Sequence, residues 1–183
     1  KARANLWQKP KPSARKNAGD TALLGSAVNR ALAREAVSQS LVLLKNKNNV
    51  LPLPNDDAYL LVGSAINSIQ KQTGGWSLTW QGDNNTLAKD FPGAQTMLGA
   101  LQVEVGAENV YTDINQAPAG TTAIVVIGED AYAEMFGDIS KAQTLEFSQL
   151  KASYAEDLAL IKKLKIAGFK VVTVFYSGRP LYV

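Results

Sequence analysis

The sequence predicts an α/β fold in which a mostly parallel sheet is flanked by helices. Two observations predict this fold. Three continuous apolar runs have the composition of strands buried on both faces, which is typical of parallel sheets. Amphipathic helical segments separate these runs, so that strands and helices alternate along the chain. With 183 residues, of which 46% are hydrophobic, the chain can form a core of ordinary size.

The strands are predicted from the length and composition of the apolar runs. The first run spans Tyr59 to Gly63, the strongest spans Ala123 to Gly128, and the last spans Val171 to Tyr176. A weaker strand is predicted at Val110 and Tyr111. These runs are too short for buried helices, and polar or glycine-containing segments separate them.

Three helices are predicted from apolar residues at three- and four-residue spacing. The first runs from about Gly25 to Leu44, and the second runs from Thr96 to Val105. In the third, Ser153 and Glu156 form a capping-box pattern, and Gly168 ends the helix.

The positive charge of the chain is concentrated at its N-terminus. Lysine and arginine exceed the acidic residues by 19 to 16, but six of the basic residues and no acid fall within residues 1–16. The remainder carries a net charge of −3, so we expect no nucleic-acid partner. No apolar run approaches the roughly 20 residues of a membrane span. Pro10 and Pro12 predict an extended linker over residues 1–20, which leaves residues 21–183 as the α/β domain.

Both ends of the chain indicate a segment of a larger protein. Lys1 is not preceded by a methionine or an apolar signal core. The last predicted strand is followed by apolar residues and by no helix that would cover it. We therefore expect a sheet that is truncated at the C-terminus or completed by a partner.

The absence of cysteine and histidine excludes several chemistries within this chain. Cysteine and histidine zinc sites, thiolate nucleophiles, disulfides and Ser-His-Asp triads all need residues that are missing. Acid–base chemistry therefore falls to carboxylates, lysines or tyrosines.

Two loops leave predicted strands at the carboxyl edge of the sheet, where open parallel sheets bind ligands. The first contains Gly74-Gly75-Trp76 and then Trp80. A double glycine allows a tight turn that presents an indole ring, and such a ring can stack on the C–H face of a pyranose. Alternatively, the tryptophan side chains are buried and fill the interior of the domain. The second interpretation is favoured for Trp80, and both stay open for Trp76.

The second loop follows Ile127 and is rich in carboxylates. It holds Glu129, Asp130, Glu134 and Asp138 within ten residues. Crowded carboxylates raise one another's pKa, which favours a protonated acid near neutral pH. Alternatively, these acids are solvated or cap a following turn. The spacing alone leaves both interpretations open.

Four groups of residues occur in order along most of the chain, from about Leu23 onward. They are Ala33–Ala36 with Leu43–Asn46 and Leu51–Leu53; Gly74–Trp76 with Trp80–Gly82; Gly128-Glu129 with Tyr132–Glu134 and Gly137-Asp138; and Ser177–Leu181. This succession resembles the second domain of glycoside hydrolase family 3, in particular its exo-acting β-glucosidases and β-glucan glucohydrolases. One departure is Ala131, where many relatives have proline.

The resemblance implies an α/β sandwich with a flavodoxin-like sheet, packed against a preceding barrel domain. It implies that Glu134 is the general acid/base of a retaining exo-β-glucosidase, which acts on terminal β-D-glucosyl residues of β-glucans or oligosaccharides. Trp76 would clamp the sugar on its leaving-group side. The nucleophilic aspartate belongs to the barrel, so we expect this chain alone to be inactive. The resemblance implies no metal or organic cofactor, and a periplasmic or secreted location.

Two other classes of function stay open, because no nucleophile is identifiable in the sequence. The first is a non-catalytic, flavodoxin-like module that binds a sugar or a nucleotide. The second is a purely structural domain that supports a partner.

Overall fold

A computed structural model describes residues 2–183, and the chain divides between Leu51 and Pro52 into two compact units. The first unit contains one α-helix and several short 3₁₀ turns. The second contains the whole sheet and the remaining helices. The assignment of residues 1–20 as a linker and of 21–183 as a domain stays a prediction.

Residues 2–20 are not extended as predicted. They contain short 3₁₀ turns at Ala2–Ala4, Leu6–Gln8 and Pro12–Ala14. Asn5 and Asn17 adopt left-handed backbone conformations, with φ of 50° and 68°. Asparagine tolerates this conformation better than most residues do, and such residues turn the chain instead of extending it.

Helix α1 (Ala27–Ser40) is shorter than predicted. Its N-terminus is capped by the Ser26 hydroxyl, which accepts a hydrogen bond from a backbone N–H of the first turn at 3.4 Å. The predicted end at Leu44 is wrong. The hydroxyls of Ser38 and Ser40 donate to backbone carbonyls of the last turns at 3.1 and 2.9 Å. Such bonds compete with continuation of the helix.

The second unit is built on a four-stranded sheet in which every pairing is parallel. Its strands are β1 (Tyr59–Val62), β2 (Val110–Tyr111), β3 (Thr122–Gly128) and β4 (Lys170–Tyr176). Their spatial order is β2-β1-β3-β4. The predicted α/β class and all four predicted strands are confirmed.

Five helices connect or follow these strands. They are α2 (Ile69–Thr73), α3 (Leu87–Asp90), α4 (Met97–Val105), α5 (Phe147–Leu150) and α6 (Ala152–Ile166). Helix α4 confirms the second predicted helix. Within the described residues, no helix combines the length and the apolarity needed to cross a bilayer.

The N-terminus of α6 differs from the prediction. The expected capping box is wrong, because Lys151 is the N-cap and its side chain makes no capping hydrogen bond. Its carbonyl accepts from the backbone N–H groups of Tyr154 and Ala155 at 3.0 and 3.2 Å, so Ser153 lies inside the first turn. Gly168 follows the helix with φ of 86°, as its predicted role at the C-terminus requires.

The core lies on both faces of the sheet. Leu60 packs on one face with residues of α5 and α6, while its neighbour Leu61 packs on the other with residues near α4. Because successive side chains of a strand point to opposite faces, both faces are apolar. This explains why each strand is a continuous apolar run in the sequence, without alternation of apolar and polar residues.

The strand order places a topological switch point between β1 and β3. The connection from β1 leads to β2 on one side, and the connection from β3 leads to β4 on the other. In open α/β sheets, ligands bind in the crevice outside the carboxyl ends of the strands at this point. Both loops singled out in the sequence leave the sheet here.

Candidate active site

The two loops are in direct contact at the switch point. We call residues 74–82, after β1 and α2, the tryptophan loop, and residues 128–138, after β3, the acid loop. The Gln81 side-chain amide donates to the Ala133 carbonyl at 3.1 Å and accepts from the Ala133 N–H at 2.7 Å. A Cβ on Gly75 would lie 1.8 Å from the carbonyl oxygen of Tyr132, so only glycine allows the backbones to approach this closely.

Glu134 follows the clamped Ala133 and begins a 3₁₀ turn, Glu134–Gly137. Its side chain is exposed, and its carboxylate has no hydrogen-bond or ion-pair partner among residues 2–183. Its φ is 52°, in the left-handed region that glutamate rarely adopts. A free carboxyl group on a constrained backbone is thus presented at the surface beside the crevice.

Backbone strain is concentrated at this site. Within the described chain, the positive-φ residues other than glycine and asparagine are Trp76, Leu78 and Glu134, with φ of 60°, 64° and 52°. Two belong to the tryptophan loop and one to the acid loop. Such residues cost about 1–3 kcal/mol each and persist where the surrounding structure imposes them, which often marks functional sites.

Three exposed aromatic side chains of the two loops form a row. The ring centroids of Trp76 and Trp80 are 6.5 Å apart, and Trp80 meets Phe136 edge to face at 6.0 Å. Trp76 is 67% exposed and Trp80 46% exposed. Neither tryptophan is buried in the interior of the domain, so the burial that was favoured for Trp80 is wrong. Trp76 has a free indole face available for stacking.

For Asp130, the structure does not show the raised pKa that the crowding of acids in the sequence led us to expect. Burial raises the pKa of Asp130, but hydrogen bonds and charge interactions with Lys151 and Lys71 outweigh it, so the pKa lies below its usual value. The Asp130 oxygens lie 2.7 Å from Lys151 Nζ and 2.9 Å from Lys71 Nζ. Asp130 therefore stays ionised and charge-compensated.

Glu129 is buried and paired with a cation that the sequence analysis did not single out. Arg179 Nη2 lies 2.7 Å from Glu129 Oε1, and the Glu129 side chain is 4% exposed. The sequence also did not indicate Lys71 as a residue of the site. Its Nζ donates to the carbonyl of Gly128 at 2.7 Å. For Arg179, the sequence offered one signal, which is its position in the Ser177–Leu181 motif.

A cavity of about 440 Å³ opens beneath the acid loop. Its lining includes polar side chains of both loops and of the segments that follow, among them Gln81, Asp138, Gln143, Lys151 and Arg179. Glu134 and Trp76 are not among its lining residues. In residues 2–183, acidic side chains form no group of three or more that could hold a metal ion.

The fold and the site define a doubly wound α/β domain with a crevice at the switch point, the place where sheets of this kind bind ligands. The chain belongs to glycosyl hydrolase family 3: residues 41–183 match the model of the glycosyl hydrolase family 3 C-terminal domain. The family resemblance inferred from the sequence motifs is thereby confirmed.

Similar proteins include a beta glucosidase and an exo-glucanase. The chain is 28% identical to a "Lysosomal beta glucosidase" of Dictyostelium discoideum, over 96% of this chain and 22% of that protein. Two crystal structures of an exo-1,3/1,4-beta-glucanase from a Pseudoalteromonas species are 44% identical and cover the whole chain, with TM-scores of 0.81 and 0.82. The chain spans 29% and 22% of those two structures.

Proposed function

We propose that this chain is the acid/base-bearing domain of a retaining exo-β-glucosidase that hydrolyses terminal β-D-glucosyl residues of β-glucans or oligosaccharides. The observation that carries the proposal is the placement of Glu134. Its carboxylate is exposed and without a partner in the described chain, on a left-handed backbone beside the switch-point crevice. Membership of the family and the β-glucosidase and exo-glucanase relatives support the same activity.

The proposed reaction needs a second carboxylate from outside this chain. In retaining glycosidases the two carboxyl groups are about 5–5.5 Å apart. The nucleophile, an aspartate of the barrel domain, attacks the anomeric carbon while Glu134 protonates the departing glycosidic oxygen. Glu134, now ionised, then takes a proton from the water that cleaves the glycosyl-enzyme. The product keeps the β configuration, because the anomeric carbon is inverted twice.

Glu134 must be protonated when the substrate arrives. Glu129 and Asp130 are each paired with cations from outside the loop, so their charges are compensated. In the proposed mechanism the charge of the nearby nucleophile keeps the proton on Glu134, since two close carboxylates do not readily ionise together. Formation of the glycosyl-enzyme removes that charge and converts Glu134 into a base.

Trp76 is proposed to bind the sugar on the leaving-group side. Its indole is 67% exposed, and its loop is joined to the acid loop through Gln81 and Ala133. An aromatic face against the C–H face of a pyranose buries apolar area at little entropic cost. The ring would therefore hold the leaving sugar within reach of the Glu134 carboxyl.

The test uses the complete enzyme, meaning this chain joined to the barrel domain. We expect Glu134→Gln to lower kcat/KM by about 10²- to 10⁴-fold on a glucoside with a poor leaving group. The loss in the glycosylation step should be much smaller with an activated aryl leaving group, which departs without a proton. Glu156→Gln, at an exposed position of α6, is the matched control. Equal losses on both substrates would contradict the acid role.

The chain by itself is proposed to be inactive, because half of the catalytic pair is supplied by the barrel. Incubating it with an aryl glucoside checks this directly, and release of the phenol would contradict it. Soaking it with glucose and, separately, with a nucleotide tests the alternative of a non-catalytic binding module. Nucleotide binding would favour that alternative. A periplasmic or secreted location stays part of the proposal.

A further inference from the structure

Arg179 contacts both ends of the acid loop. Its Nε and Nη2 donate to one carboxylate oxygen of Glu129, at the start of the loop, over 2.9 and 2.7 Å. Its Nη1 donates to the carbonyl of Gly137, at the end of the loop. Glu134 lies between these two attachment points. One guanidinium group therefore sets the separation of the two ends of the segment that carries Glu134.

The middle of the loop packs against the same guanidinium. Arg179 Cζ lies 4.4 Å from the centroid of the Tyr132 ring, a stacking arrangement that favours a planar cation. A Cβ on Gly137 would lie 2.1 Å from this ring, so the loop closes tightly around it. Tyr132 is thus held between Arg179 and the turn that Glu134 begins.

Glu129 is itself held in place, so Arg179 is anchored to a fixed point. The Glu129 side chain is 4% exposed, and its second oxygen accepts a hydrogen bond from Ser177 Oγ at 2.6 Å. Both Ser177 and Arg179 follow β4, the neighbour of β3 in the sheet. A carboxylate buried in this way loses much of its stabilisation when its cation is removed.

We propose that Arg179 is a positioning residue for the acid/base step. It holds Glu129 and Gly137 so that the loop keeps Glu134 in its left-handed conformation, with the carboxyl group directed at the glycosidic oxygen. This inference rests on the proposed function. A left-handed glutamate is unfavourable by itself, so contacts elsewhere in the loop must maintain it. The three contacts of Arg179 supply that constraint.

The test compares Arg179→Lys with Glu134→Gln in the complete enzyme. Lysine keeps a positive charge beside Glu129, but it lacks the planar fork that reaches Glu129 and Gly137 together. Each variant is assayed on an aryl glucoside with an activated leaving group and on an alkyl glucoside with a poor one. We expect Arg179→Lys to lose about 10²-fold in kcat/KM on the alkyl glucoside. The loss on the aryl glucoside should be much smaller, which is the same selectivity as that of Glu134→Gln.

Two further variants keep the result interpretable. Ser177→Ala removes the hydroxyl that bonds to Glu129 and to the backbone of Arg179. It keeps the guanidinium group, so we expect a smaller loss with the same substrate selectivity. It also provides the test if Arg179→Lys does not fold. Lys151→Gln breaks the ion pair with Asp130 in the same loop and should leave the ratio of the two substrates unchanged.

Two results would overturn the inference. One is a loss by the same factor on both substrates, which indicates a general structural role for Arg179. The other is no loss on either substrate. If Glu134→Gln itself shows no leaving-group selectivity, the proposed function fails. If Glu134→Gln is selective and the Arg179 and Ser177 variants are not, only the present inference fails.

Discussion

The Gln81 side chain forms two hydrogen bonds with the backbone of Ala133, one to its carbonyl and one from its N–H. Gln81 belongs to the tryptophan loop, and Ala133 directly precedes Glu134 in the acid loop. The two residues are 52 positions apart in the chain. Through this one amide, the loop that carries Trp76 and the loop that carries Glu134 are held in a fixed relation.

Replacing Gln81 with glutamate should weaken this link. The carboxylate still accepts from the Ala133 N–H, but it cannot donate to the carbonyl and repels it. Because Ala133 is buried, we expect the free energy of unfolding to fall by about 1–3 kcal/mol. The Ala133 amide should also exchange faster with deuterium. Urea unfolding and hydrogen exchange measure the two effects.

Gln116→Glu is the matched control for this change. The Gln116 side chain is exposed and makes no hydrogen bond within residues 2–183. The Gln116→Glu variant should therefore have the same free energy of unfolding as the unmodified chain. Unchanged exchange at Ala133 in the Gln81 variant would show that the two loops are held together by other contacts.

Replacing Trp76 with alanine in the complete enzyme should raise KM for oligosaccharides. The lost aromatic contact is worth about 0.5–1.5 kcal/mol, which corresponds to a change of about tenfold or less. Steady-state kinetics on a short β-glucan measures it. Trp7→Ala removes a comparably exposed indole, 73% exposed, from the N-terminal unit and serves as the control. An unchanged KM would remove Trp76 from the sugar site.

The ion pairs of Asp130 should make stability depend on pH in the acid range. Its pKa lies below the usual value in the folded chain, because Lys151 and Lys71 outweigh the effect of burial. Its contribution is therefore present above the ordinary aspartate pKa, and it is lost as the pH falls through the lowered value. Asp130→Asn should lower stability at neutral pH and flatten the decline toward acid.

The size of this effect is limited by solvent. The Asp130 side chain is 47% exposed, so water screens both ion pairs, and we expect a change of about 1 kcal/mol or less. Urea unfolding from neutral to acid pH, with and without added salt, measures it. Asp83→Asn, which removes an exposed acid without an ion pair in the described chain, is the control. Parallel pH curves for the unmodified chain and Asp130→Asn would contradict the prediction.

The sequence was most informative where each signal is local. Continuous apolar runs predicted three strands, a weaker apolar pair predicted the fourth, and polar or glycine-containing segments separated them correctly. The loops with Trp76 and Glu134 were placed at the carboxyl edge of the sheet because they follow β1 and β3. Element ends were less well predicted: the capping box at Ser153 failed because Lys151 starts the helix instead.

The charge relations of the site could not be predicted in the same way. A cluster of acids in the sequence indicates mutual repulsion, and this was the expectation for Glu129 and Asp130. The compensating cations come from distant positions. Arg179 is 50 residues from Glu129, and Lys71 binds the carbonyl of Gly128 from 57 residues away.

The sequence by itself determined the alternation of strands and helices, the family, and which loops carry the candidate carboxyl and indole groups. These depend on residue types and on spacing within single segments. Tertiary structure alone decided that Glu129 and Asp130 are paired with cations, whereas Glu134 is not, within the described residues. The physical reason is that parallel strands require long crossover connections, so side chains far apart in the chain meet at one edge of the sheet. There, Lys71, Lys151 and Arg179 pair with Asp130 and Glu129. The carboxylate of Glu134 has no such partner within the described chain.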